Sequence, residues 1–159
     1  MRTVQIELIQ AIAEAFPPRS VPCPMTLLQG DEEDTYYEIK ALNDVAPLDW
    51  QSVTDEQLET LQWGMGYLDP DSWLFYLPAF MRYAISYPAR NSLVIDRFFD
   101  TLIPRDWKPD QFKQLTDKQR AMIVAALEFM IYDEESQESE EANAVYYDHW
   151  GGKAASEQV

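Results

Sequence analysis

The stretch Leu68 to Pro88, LDPDSWLFYLPAFMRYAISYP, decides how the rest of the chain is read. Asp69 suits a helix N-cap, and Pro70 falls at the first helical position, where its missing N–H costs nothing. Leu68 before the cap and Trp73 at the fourth helical position have the spacing of a hydrophobic staple. From Trp73 to Ile85 the residues are apolar almost all round, the pattern of a helix enclosed by others. The stretch is too short and too interrupted to span a bilayer. Pro78 in its middle leaves two outcomes. Either one kinked helix continues past it and the Leu74 carbonyl loses its partner, or the helix stops near Tyr76 and restarts at Pro78. Tyr87-Pro88 ends the element in both cases.

Working outward, Thr3 caps a first helix reaching about Ala15, with Val4, Leu8, Ile12 and Ala15 on one stripe. The run PPRSVPCP, Pro17 to Pro24, is an extended arm. Gly30 to Asp34 is an acidic cluster, with Asp31 or Asp34 capping a helix over Thr35 to Leu42. Thr54 and Gln57 form a capping box for a helix that Gly64 ends at C′. Asn91 or Ser92 caps another helix through Leu102. Trp107 and Phe112 pin the connection that follows to the core. Thr116 and Gln119 form a second capping box, for a helix to about Tyr132. Asp133 to Glu141, DEESQESEE, reads as an exposed acidic linker. Ala142 to Trp150 forms a last short helix, ended by Gly151-Gly152. Caps and breakers together predict an all-α, compact single domain of about six or seven helices around the Pro-kinked central helix. The domain spans residues 1–152, with a disordered tail at 153–159.

The run Leu68-Asp69-Pro70, then Trp73, then Tyr76-Leu77-Pro78-Ala79-Phe80, resembles the core of a bacterial family of unknown function, written L-x-P…YLPAF. Leu115 to Arg120 and the Ala/Leu helix after it are similar to that family's closing helix. The resemblance covers roughly Val53 to Met130 and implies no activity. Some relatives carry Cys residues ahead of the core. This chain has Asp31, Glu32, Glu33 and Asp34 there, so no thiolate metal site is implied.

The chain has 159 residues, 47% of them hydrophobic, enough to bury a real core. Its formal net charge is −16. That charge repels nucleic acid and anionic membranes, and it attracts basic partners. Cys23 is the only cysteine, which rules out an internal disulfide and suits a reducing compartment. The N-terminus carries Glu7 within its apolar run and lacks a cleavage site, so a cytoplasmic location is expected.

Catalytic chemistry is poorly supplied. His149 is the only histidine, so no two-histidine metal site and no Glu-x-x-His pair can form. No phosphate-binding loop occurs, the 31–34 cluster lacks EF-hand spacing, and no cofactor is expected. The sequence therefore predicts a non-enzymatic acidic domain that binds a basic protein, of the immunity-protein or antitoxin type. The expected contact surface is Asp31, Glu32, Glu33, Asp34, Tyr36 and Tyr37, together with Asp133, Glu134, Glu135, Glu138, Glu140 and Glu141. One alternative is a nucleic-acid mimic that blocks a DNA-binding protein. Another is a small-ligand sensor or carboxylate-based enzyme whose pocket, at the Pro78 kink, is lined by Tyr76, Arg82 and Tyr83. Neither direct nucleic-acid binding nor membrane binding is expected.

Overall fold

The computed structural model describes residues 1–34 and 45–151. Among these residues the fold is all-α. Its helices are α1 (Thr3–Ala15), α2 (Leu27–Asp34), α3 (Asp55–Thr60), α4 (Pro70–Ser86), α5 (Leu93–Thr101), α6 (Asp117–Tyr132) and α7 (Ser139–Val145). Tight helical turns at Trp50–Ser52 and Gln62–Tyr67 and a wider π turn at Tyr146–Trp150 complete it. The expected helix over 35–42 and the tail at 153–159 lie outside the described residues.

α4 is the centre. Asp69 Oδ1 accepts from the Ser72 N–H at 2.9 Å, Pro70 opens the helix, and the staple residues Leu68 and Trp73 are both buried. Twelve of its 17 residues are buried. Of the two outcomes at Pro78, the continuous helix is the one found: α4 runs through it to Ser86. α1, α5 and α6 pack around it. α1 and α6 are antiparallel, since Gln119 Nε2 donates to the Ala15 carbonyl at 3.1 Å while Arg2 pairs with Asp133 at the opposite end. Gln5 Nε2 donates to the Ile85 carbonyl at 2.8 Å and ties α1 to α4. Two buried indoles act as further staples. Trp50 Nε1 donates to Phe16 O and Trp150 Nε1 to Leu102 O, each at 2.7 Å.

The capping boxes at Thr54–Gln57 and Thr116–Gln119 form with both reciprocal bonds. A third, not expected, starts α2: Thr26 N–H donates to Gln29 Oε1 at 2.9 Å and Gln29 N–H to Thr26 Oγ1 at 3.1 Å. The cluster at 31–34 therefore lies inside α2.

Gly64 does not end a helix either, because α3 stops at Thr60. Its role is close approach. A Cβ on Gly64 would lie 2.3 Å from the Leu27 carbonyl oxygen, and one on Gly30 would lie 2.4 Å from the Gly64 oxygen. Those separations are far inside van der Waals contact, so only two facing glycines let α2 sit on the 62–67 turn.

The connection after α5 is pinned by one aromatic and not by both. Phe112 packs edge-on against Trp73 and Trp150, at centroid distances of 5.4 and 5.0 Å. Trp107 is 74% exposed.

Candidate functional site

The first acidic cluster does not face outward as a unit. Its position within α2, against the 62–67 turn, leaves Asp31 buried, Glu32 half-buried and Glu33 exposed. Tyr36 and Tyr37 fall outside the described residues, and Asp34 is the last residue of α2.

The second cluster is docked at three points. Arg2 holds Asp133 with a two-pronged contact, Nη1–Oδ1 at 2.7 Å and Nη2–Oδ2 at 2.9 Å. That hydrogen bond keeps the Asp133 carboxyl below its usual range. Gln137 N–H donates to the Pro88 carbonyl at 2.9 Å. Glu138 turns inward and is only 4% exposed, so 133–141 is not an exposed linker throughout. Burial, then Asp96 of α5, then Glu141 push the Glu138 carboxyl up to about 7. Ser139 to Glu141 form the first turn of α7, where the unpaired N–H groups favour acids. Glu134, Glu135, Glu140 and Glu141 are exposed.

Tyr76, Arg82 and Tyr83 do not converge on one pocket: Tyr76 and Tyr83 share a face of α4 but lie about 10 Å apart along its axis, and Arg82 points roughly a third of a turn away from them. Tyr76 lines a cleft of about 280 Å³ with Leu27, Val53 and Leu61. Arg82 donates to the carbonyls of Gln51, at 3.3 Å, and Val53, and stacks on Trp50 at 5.4 Å. Tyr83 donates to Glu59 Oε2 at 2.9 Å and accepts from Arg90 Nη1 at 3.2 Å, while Tyr87 donates to Asp55. Every member of that last network has a partner, as expected of a brace between α3 and α4. The cleft beside Pro78, of about 220 Å³, is lined by Phe16, Arg19, Trp50, Leu74 and Gln119 and by none of the three.

Burial raises the Cys23 thiol, opposite to what a reactive thiolate needs. Among the described residues no group of three or more His, Cys, Asp or Glu side chains is placed to hold a metal. Glu138 and Asp96 are a carboxyl pair of the kind used in acid–base catalysis, but Glu138 is buried away from solvent.

A surface the sequence reading passed over lies between α1 and α6. An open groove of about 490 Å³ is lined by Val4, Leu8, Ala125 and Phe129, with Glu7 and Glu128 beside them. Val4 is 50% exposed, so the apolar stripe of α1 reaches solvent at its N-terminal end. The α1 sequence, TVQIELIQAIAEA, contains no cation. That absence, next to Glu7 and Glu14, is the signal that marks the face.

The chain belongs to a family of unknown function, DUF6714, whose model matches residues 4–154, well beyond the Val53–Met130 core that carried the resemblance. No curated protein and no solved structure matches the chain. Among the described residues no helix is long and apolar enough to cross a membrane.

Proposed function

We propose that this member of a family of unknown function is a non-enzymatic, acidic protein-binding domain that recognises a basic partner, in the manner of an immunity protein or antitoxin. The observation that carries this reading is how the protein uses its own cations. Arg2, Arg19, Arg90, Arg105 and Lys113 pair with carboxylates of the same chain. Arg82, Lys108 and Arg120 donate to backbone carbonyls, and Arg97 lies over the Trp63 ring. With these nine positive side chains turned onto the protein itself, much of the excess negative charge is presented outward. Glu7, Glu14 and Glu128 on α1 and α6 and Glu134 and Glu140 near α7 are exposed.

The α1–α6 groove is where such a partner gains most. An amphipathic helix with Lys or Arg at its margins buries its apolar stripe on Val4, Leu8 and Phe129, and its cations meet Glu7 and Glu128. The cytoplasm remains the expected compartment for such an encounter.

The test is affinity capture from cells of the source organism, followed by kinetics with the purified partner. Raising ionic strength from about 0.05 M to about 0.5 M should slow association at least about tenfold. Glu7→Lys with Glu128→Lys should weaken binding further. A tight partner whose association rate ignores salt refutes electrostatic recognition, and competition of that partner with DNA would favour nucleic-acid mimicry instead.

A further inference from the structure

Between the C-terminal end of α5, the Gln62–Tyr67 turn and the connection that follows α5 lies a small recess of about 70 Å³. Its wall joins Arg105, Lys108, Asp100 and Gln111, with Trp107 beside them. Three features of it suit a ligand.

Gln111 is 5% exposed, yet its Oε1 has no hydrogen-bond partner. A buried amide oxygen without a donor keeps its full desolvation cost, and native interiors rarely leave one so. Trp107, in the same wall, is 74% exposed. An indole left in water holds a large apolar area and an N–H ready for a ligand.

The third feature is charge. Two cations face one carboxylate across the recess. Arg105 Nη2 donates to Asp100 Oδ1 at 2.8 Å. Lys108 Nζ donates to the Gly66 carbonyl and, at 3.4 Å, to that of Leu68. An ammonium has three donors, so one remains. Burial lowers the Lys108 ammonium, while Asp100 and Asp69 act on it in the opposite sense. A desolvated cation facing a recess is stabilised by an arriving anion.

We propose that this recess binds a small carboxylate that carries an N–H or O–H donor on the adjacent carbon. The carboxylate meets Arg105 and Lys108, the donor meets Gln111 Oε1, and the remainder lies along Trp107. A free amino or hydroxy acid and the C-terminal residue of a peptide share this chemistry. Arg105 and Lys108 keep their contacts within the chain when the ligand's carboxylate arrives, and the recess shares no lining residue with the α1–α6 groove, so the failure of either assignment leaves the other standing.

Titration of isotope-labelled protein with glycine, glycolate, N-acetylglycine and acetate, read at the Gln111 side-chain amide and the Trp107 indole, tests it. Donor-bearing probes should shift both signals, and acetate, which lacks the donor, should bind at least about tenfold more weakly. Preference for N-acetylglycine identifies a chain end as the source, and preference for glycine or glycolate identifies a free acid. Lys108→Met should abolish the shifts with the remaining spectrum native, and the exposed Trp107→Ala should weaken them. If Gln111→Leu does not fold, the acetate comparison on the unaltered protein still decides the point. No shift with any probe up to about 50 mM, or acetate binding as well as glycolate, overturns the proposal.

Discussion

Replacing Glu138 by Gln should change how stability depends on pH. Glu138 is buried at the start of α7, facing Asp96 of α5 and Glu141 one turn along its own helix. Its carboxyl moves from an ordinary 4.5 up to about 7, first because burial disfavours the ion and then because both neighbours are acids. At about 1.4 kcal/mol per pH unit, that difference is worth about 3 kcal/mol. The sign follows from proton counting. Below the ordinary value the group is protonated folded and unfolded, and its burial is not penalised. Between 4.5 and about 7 the folded chain keeps a proton that the unfolded chain has released, so stability falls as pH rises. Above that window the loss is complete. Glu138→Gln cannot ionise and should escape the loss. Urea unfolding in steps from about pH 4.5 to about pH 8 should show the variant gaining about 3 kcal/mol on the parent across the range. Two parallel curves, separated by a constant offset, would refute the reasoning.

The glycine contact predicts a sharp contrast: Gly64→Ala should cost about 2 to 3 kcal/mol in denaturant unfolding by prising α2 from the 62–67 turn, whereas Gly66→Ala, with open space around its Cβ, should be nearly neutral. Asp133→Asn should cost about 1 kcal/mol near neutral pH, a modest figure because Arg2 is partly exposed. Since Arg2 holds this carboxyl low, its contribution is present above the ordinary 3.8 and is lost as pH falls below it, so parent and variant should converge in acid.

Much of the scaffold was legible because its signals are local. A Thr three residues before a Gln, just ahead of a helical run, is the signature of a capping box, and Thr54 and Thr116 both carry it. Thr26 carries the same pattern, but Gly30 and the acidic run after it weaken the apolar periodicity that marks a helix. The all-round apolar character of α4 identified the centre. The fate of Pro78 was not decidable from propensity, since neighbouring helices set whether a proline bends or ends a helix. Trp107 and Phe112 are close in sequence and alike in hydrophobicity. Which of them enters the core depends on the gap between Trp73 and Trp150, visible only in three dimensions. The burial of Glu138 is hidden from the sequence for a similar reason. A dense run of acids reads as solvated, but the Gln137 contact to Pro88 and the buried Ala142 and Val145 draw its middle inward.

The column Trp73–Phe112–Trp150 sets an order on biosynthesis. Phe112 has an aromatic neighbour on each side, and one of them, Trp150, emerges from the ribosome long after α4. α1 likewise waits for α6, its Ala15 carbonyl meeting a donor 104 residues downstream. Such distant pairings slow folding, so the nascent chain carries an unsealed aromatic interior until Trp150 has left the ribosome.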